Sequence, residues 1–176
     1  MRNKLLIKSI RIKFENNSDE FGFTIPELLV VITVMIILLS ITTVSLEKTQ
    51  HKTSLGTTVT TLLTDMREEQ TKAMSGDTEG RATVDSYGLY VQQNKYTIFH
   101  GTTYNPADTT NYDVNLDPSL QFTTITLPNS SLIFFKGTGE FYNFANGSNT
   151  FTLKNTVTND TKTITINRYG VVTQVN

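Results

Sequence analysis

The chain has 176 residues, no cysteine, 15 basic and 16 acidic side chains, and 38% hydrophobic residues. This length suits one folded domain with a short additional segment. The lack of cysteine excludes disulfides, cysteine-based zinc sites and thiol nucleophiles. The near-neutral charge argues against a strongly basic nucleic-acid surface.

The first 22 residues form a basic segment ahead of an apolar run. They carry five basic and three acidic side chains, so the rest of the chain has three more acidic than basic ones. Residues 28–46 contain no charged side chain, and this is about the length that crosses a bilayer. By the positive-inside rule, we expect a single-pass protein of the cytoplasmic membrane. Its N-terminus would be cytoplasmic and its C-terminal domain extracytoplasmic.

One carboxylate, that of Glu27, lies just inside the apolar run. Burying a lone carboxylate among apolar groups is costly, so its presence there predicts a function. An ordinary secretory signal peptide would instead be cleaved after the run, at a site resembling Ala-x-Ala. Residues 39–45 contain no alanine. A plain membrane anchor would have no use for Glu27.

The segment from Phe23 to about Ser75 predicts one long helix. Its first half is apolar on all sides. Its second half is amphipathic, since Leu55, Val59, Leu62, Leu63 and Met66 recur at helical spacing. Gly56 and the threonine-rich stretch 57–64 favour a bend or break. The helix is expected to end near Gly76, because glycine suits a helix C-cap.

Alternating apolar residues predict β-strands throughout the remainder of the chain. They indicate strands around 82–91, with a bulge near Tyr87-Gly88, and at 96–100, 121–127, 131–136, 151–157, 164–166 and 171–175. Residues 102–119 are polar and predict a loop. The predicted fold class is α+β: a long N-terminal hydrophobic helix packed on a C-terminal antiparallel β-sheet domain. The domain would have six to eight strands in one sheet or a pair of sheets.

The run Gly22-Phe23-Thr24-Ile25-Pro26-Glu27, followed by Leu-Leu-Val-Val-Ile, resembles the class III signal of type IV prepilins and pseudopilins. The resemblance covers residues 22–46, and Pro26 stands where the family more often has an aliphatic residue. Proline is nevertheless tolerated in the first turn of a helix. The resemblance implies that a prepilin peptidase cleaves between Gly22 and Phe23 and methylates the new amino terminus at Phe23. It also implies that Glu27 pairs with the N-terminus of an adjacent subunit during assembly.

A pilin-like fold and a structural role follow from this resemblance. The leader would be residues 1–22, the N-terminal helix 23–76 with its membrane or filament core to about 46, and the β-rich extracytoplasmic domain 77–176. The chain would be a subunit, a minor one, of a type IV pilus-like or type II secretion-like filament lying outside the cell or in the periplasm. The order of elements also resembles the minor pseudopilin H and FimT-type family. The implied partners are a prepilin peptidase, other pilin or pseudopilin subunits, an inner-membrane assembly platform and membrane lipid before assembly.

Neither a cofactor nor catalysis is implied. The chain has only two histidines, His51 and His100, and no nucleophile and base stand at a recognisable spacing. Asp113, Asn115 and Asp117 alternate along a loop and are weak candidates for calcium ligands. However, Pro118 follows where an EF-hand loop needs glycine.

Alternative functions remain open at this point. The chain could be a binding module at a filament tip for DNA uptake or adhesion, or a plain single-pass surface protein. Lys154, Lys162 and Arg168 on the last predicted strands are the candidates for DNA contact. Nine aromatic residues at strand positions favour either core packing or a sugar-binding, adhesive face: Tyr87, Tyr90, Tyr96, Phe99, Phe134, Phe135, Phe141, Tyr142 and Phe144.

Overall fold

The structure is a computed structural model that describes the backbone of residues 22–176 and the side chains of residues 22–40 and 53–176. Most of the predicted leader, residues 1–21, and the side chain of His51 lie outside this description. The chain divides into two compact units, Met1–Ile41 and Thr42–Asn176, and each is described by itself.

A single helix, α1, spans Ile25–Ser75. Its end at Ser75 confirms the prediction for the helix C-terminus. Gly76 adopts a φ of +70°, and the amide of Asp77 donates a hydrogen bond to the carbonyl of Lys72 at 3.1 Å. This arrangement uses the freedom of glycine to satisfy a carbonyl of the last turn.

The described side chains of α1 contradict the prediction of one long hydrophobic helix. They fall into two short segments, an apolar one at residues 25–40 and an amphipathic one at residues 53–75. Sixteen helical residues rise only about 24 Å, whereas the hydrocarbon core of a bilayer is about 30 Å thick. From residue 53 onward, threonine, serine and charged residues replace the aliphatic run.

Across the described residues, no helix combines the length and the apolar character that a bilayer crossing requires. The long apolar helix on which the predicted pilin-like fold class depended is therefore wrong, and so is the predicted single-pass localisation in the cytoplasmic membrane.

Two antiparallel four-stranded sheets follow α1, so the fold is α+β. Sheet A has the order β3-β2-β1-β5 and sheet B the order β4-β6-β7-β8. The strands of sheet A are β1 (Tyr87–Val91), β2 (Lys95–His100), β3 (Tyr112–Asn115) and β5 (Ser131–Phe134). Those of sheet B are β4 (Leu120–Ile125), β6 (Thr150–Asn155), β7 (Thr161–Ile166) and β8 (Val172–Val175). A single 3-10 turn, Pro128–Ser130, precedes β5.

The predicted strand around residues 82–84 and the bulge near Gly88 are wrong. Residues 81–86 form no strand, and β1 pairs without interruption with both β2 and β5. A Cβ atom on Gly88 would lie 2.5 Å from the carbonyl oxygen of Leu132. Glycine here therefore marks the close approach of a neighbouring strand, a role that sequence alone does not separate from a bulge.

The core of the second unit joins the amphipathic segment of α1 to both sheets. The predicted helical stripe is confirmed, because Leu55, Val59, Leu62 and Met66 are buried and Leu63 packs against them. Strands β6 and β7 alternate buried and partly exposed side chains over most of their length. Full burial of one such aliphatic side chain contributes about 1.5–3 kcal/mol, so this stripe holds the helix segment against the sheets.

Candidate processing and assembly site

The predicted cleavage site lies in an open, non-helical stretch. Residues 22–24 have no regular structure and are exposed, and Phe23 is 79% exposed. A Cβ atom added to Gly22 would meet no other atom within 4 Å. Gly22 and Phe23 themselves are therefore accessible.

Thr24 starts the helix immediately after this stretch. Its hydroxyl accepts a hydrogen bond from the amide of Glu27 at 3.4 Å, and its carbonyl accepts one from the amide of Leu28 at 3.0 Å. Thr24 and Glu27 have the spacing of a capping box. Pro26 lies in the first turn, where a missing N–H costs nothing. The cap thus fixes Glu27 one turn into the helix, four residues after Phe23.

The side chain of Glu27 is exposed. Within the described part of the chain, its carboxylate has neither a hydrogen-bond nor an ion-pair partner. A negative charge in the first helical turn is favourable because it faces the positive end of the helix dipole. The pairing of Glu27 with a neighbouring subunit stays a prediction.

The helix beyond Glu27 presents apolar side chains on every side. Eleven large apolar residues between Leu28 and Leu39 are each 44–65% exposed. Thr33 and Ser40 donate their hydroxyls to the carbonyls of Leu29 and Ile36, each at 2.8 Å. These bonds satisfy polar groups within the helix itself. A helix that is apolar all round requires an apolar environment on all sides.

The weak metal candidates do not converge. Asp113 accepts hydrogen bonds from Lys95 Nζ at 2.6 Å and from Thr97 Oγ1 at 2.5 Å, and these contacts, Lys95 first, lower the pKa of Asp113. Asp117 accepts the amide of Ser119 at 2.8 Å. Asn115 is exposed at the end of β3. Among the described residues, no three His, Cys, Asp or Glu side chains group closely enough to hold a metal ion. Asp113, Asn115 and Asp117 therefore stay weak candidates for calcium ligands.

The basic candidates for DNA contact do not share one surface. Lys154 lies between the buried residues Leu153 and Asn155, so it extends from the outer face of β6. Lys162 lies opposite Leu153 in register, which places it on the inner face of sheet B. Arg168 follows β7 in a loop. DNA binding therefore stays a prediction without a continuous basic patch to support it.

His100 lies between carboxylates rather than beside a nucleophile. Its Nδ1 is 3.3 Å from Asp85 Oδ2, and its Nε2 is 3.1 Å from Asp108 Oδ2 and 2.9 Å from Thr110 Oγ1. This arrangement ties the end of β2 to two loops.

Sequence reasoning missed a cluster of charges at the end of α1. Lys72 Nζ lies 3.1 Å from Glu68, 2.8 Å from Glu69 and 3.0 Å from Glu79. Glu69 is only 1% exposed, and its Oε2 has no hydrogen-bond partner within the described structure. The spacing of Glu68 and Glu69 from Lys72, four and three residues, was the available signal for the pairing. The burial of Glu69 and the contact to Glu79 depend on tertiary structure.

Burial and contacts with charged neighbours oppose each other in setting the pKa values of this cluster. Burial raises the pKa of Glu69 even though the contact with Lys72 acts in the opposite direction. Burial alone would lower the pKa of Lys72, but hydrogen bonds to the three carboxylates hold it above its usual range. The cluster connects to β1, because Arg81 bonds both Glu79 at 3.0 Å and the Tyr87 hydroxyl at 2.7 Å. It thereby fixes the end of α1 against sheet A.

Comparisons with known proteins identify no relative of this chain. Neither a protein-family model, nor a curated protein, nor a solved structure matches the chain. The resemblance to prepilins and pseudopilins therefore rests on residues 22–46 of the sequence.

Proposed function

We propose that this chain is a structural subunit of a filament of the type IV pilin or pseudopilin kind. A prepilin peptidase would process it between Gly22 and Phe23. The observation that carries the proposal is the apolar helical segment between Leu28 and Leu39, which is exposed on every side directly after a capped helix start.

The free energy available from covering this segment is of the same order as the cost of association. Full burial of an aliphatic side chain contributes about 1.5–3 kcal/mol. Because these side chains are about half exposed, covering each contributes about 1 kcal/mol, and together they contribute on the order of 10 kcal/mol. This is comparable to the roughly 4–15 kcal/mol that association costs in lost translational and rotational freedom.

The same apolar segment of neighbouring subunits would cover these side chains. Cleavage after Gly22 would leave a cationic amine at Phe23, four residues before Glu27. In a bundle of apolar helices, a carboxylate without a counter-ion is strongly unfavourable. Since Glu27 has no partner within the described part of its own chain, the amine of an adjacent subunit would supply one. The pair would then fix the axial register between subunits.

The direct test compares Glu27→Gln with Glu140→Gln in cells that contain the cognate peptidase and assembly machinery. Glu140 is a matched control, because it is also exposed and its carboxylate has no partner among the described residues. Both variants should be cleaved normally. Only Glu27→Gln should be depleted in sheared filaments, by at least roughly tenfold, because breaking a buried charge pair costs several kcal/mol. Incorporation of Glu27→Gln at the wild-type level would refute the assembly role.

A further inference from the structure

A tyrosine-lined groove lies on the outer face of sheet A. In β2, Tyr96 turns toward α1 and donates its hydroxyl to Asp65. Tyr90 in β1 pairs with Thr97, so its side chain leaves the sheet on the opposite face. The groove encloses about 280 Å³, and its side chains include Tyr90, Tyr104 and Tyr142. This volume is near the lower end of small-molecule sites, which measure about 300–1,000 Å³.

The lining of the groove is polar but uncharged. It contains tyrosine, threonine, serine, asparagine, proline and isoleucine side chains, and no Asp, Glu, Lys, Arg or His. A second cavity, on the helix side of the same sheet, is lined by four carboxylates together with Lys72 and His100. The contrast indicates that a ligand of the tyrosine groove is neutral.

Other aromatic rings hold the tyrosines of the groove in place. Tyr90 and Tyr104 stack with a centroid distance of 4.1 Å and an interplanar angle of 9°. Phe99 contacts Tyr104 edge to face at 5.4 Å. Tyr142 stacks on Phe135 at 5.5 Å. Such contacts restrict the side-chain rotamers before any ligand arrives, which reduces the entropy lost on binding.

Most polar side chains of the groove are not used to build the fold, although Ser131 donates its hydroxyl to the carbonyl of Asn129 at 3.1 Å. The hydroxyls of its three tyrosines and the amide side chains of Asn129 and Asn143 make no hydrogen bond within the described part of the chain. Other asparagine side chains stabilise loops by hydrogen bonding. That of Asn105, for example, accepts a hydrogen bond from the amide of Ala107 at 3.0 Å. Asn129 and Asn143 also both have left-handed backbones, with φ values of 51° and 58°. Asparagine tolerates this backbone conformation better than most residues, and residues held in it cluster at binding sites.

We propose that this groove binds a neutral carbohydrate, with one pyranose ring lying against a tyrosine face. One face of a pyranose carries C–H groups, which complement the electron-rich face of an aromatic ring. Its edge carries neighbouring hydroxyls, each of which donates and accepts hydrogen bonds. Asparagine side chains offer both a donor and an acceptor to such hydroxyls, and the free tyrosine hydroxyls do the same. This inference is independent of the proposed filament role.

The test is a binding screen of the full chain against immobilised neutral and anionic oligosaccharides. The exposed apolar segment requires a detergent, and one without a sugar head group avoids competition. The strongest neutral hit is then titrated against wild type, Tyr142→Ala and Asn143→Asp. Tyr169→Ala serves as the control, because Tyr169 is 60% exposed and lies outside the groove. Asn143→Asp keeps a residue that tolerates a left-handed backbone while placing a charge in a neutral site.

Tyr142→Ala and Asn143→Asp should each weaken binding by roughly tenfold or more, through loss of ring contact and through the introduced charge. Tyr169→Ala should bind as wild type does, and circular dichroism should show that all variants are folded. Three results would overturn the proposal: no neutral saccharide bound by wild type, binding of anionic saccharides alone, or a neutral hit that the folded Asn143→Asp variant binds as tightly as wild type.

Discussion

Replacing Lys72 with methionine would remove the one ammonium that contacts three carboxylates at the end of α1. The pairs with Glu68 and Glu79 contribute little, since those side chains are 60% and 40% exposed and exposed pairs are worth about 0–1 kcal/mol. Glu69 is different, because its side chain is 1% exposed. Removing one partner of a buried pair costs about 3–5 kcal/mol. Lys72 is itself 22% exposed, so we expect the low end, about 3 kcal/mol.

The loss of stability caused by Lys72→Met should depend on pH in a defined direction. Burial raises the pKa of Glu69 in the folded state. Between its ordinary value and this raised value, the folded chain holds more protons than the unfolded chain, so stability falls as pH rises. Without Lys72 the pKa of Glu69 should rise further, so the stability of the folded chain should continue to fall up to a higher pH. The destabilisation by Lys72→Met should therefore be larger at about pH 8 than at about pH 4. The lower pH lies below the ordinary pKa of a glutamate, so Glu69 with its raised pKa holds its proton there in the folded state.

Urea unfolding monitored by tyrosine fluorescence measures this effect, since the chain has seven tyrosines and no tryptophan. Lys154→Met is the control, because Lys154 contacts no carboxylate within the described structure. The double variant Lys72→Met/Glu69→Gln should recover much of the lost stability, since no unpaired charge remains buried. A loss that is equal at both pH values, or one that Glu69→Gln does not relieve, would show that Lys72 does not stabilise the fold by pairing with Glu69.

Two further predictions concern the β domain. Gly170→Ala should destabilise it by about 2–4 kcal/mol through backbone strain and overpacking, because φ is +74° and the new Cβ would lie 2.6 Å from Gln70 Nε2. Gly147→Ala, at φ +81° with no atom within 4 Å, should show the strain alone, about 1 kcal/mol, and equal losses in urea unfolding would contradict the packing account. Adding about 1 mM Ca²⁺ should leave the melting temperature unchanged, because Asp113 is already bonded to Lys95 at 2.6 Å. A clear rise that Asp113→Asn abolishes would establish calcium binding instead.

Sequence patterns correctly predicted the features that depend on residues close together in the chain. The helical stripe from Leu55 to Met66 and the C-cap at Gly76 lie where spacing and residue type placed them. The alternation of β6 and β7 likewise predicted their buried residues, Leu153 and Ile164 among them.

Features that depend on distant contacts were not predictable in this way. Gly88 suggested a bulge because a sequence does not show that β5 passes so close to it. The contact of Lys72 with Glu79 joins α1 to a residue beyond the helix, and no helical spacing indicates it. The tyrosine groove draws Tyr104 and Tyr142 from separate loops, and no spacing relates the two. An uninterrupted run of uncharged residues suggested a membrane span, but the described apolar helical segment is shorter than that run.

Mass analysis of the N-terminus tests whether the chain is processed as a prepilin. The full chain would be co-expressed with a prepilin peptidase, alongside a Gly22→Val control. A Cβ atom at residue 22 meets nothing within 4 Å, so the control should fold normally and report on peptidase recognition alone. Processing at the Gly22-Phe23 bond would give a mature chain that begins at N-methylated Phe23, and this species should be lost in the control. An uncleaved wild-type chain in the presence of its cognate peptidase, or cleavage at another bond, would contradict it.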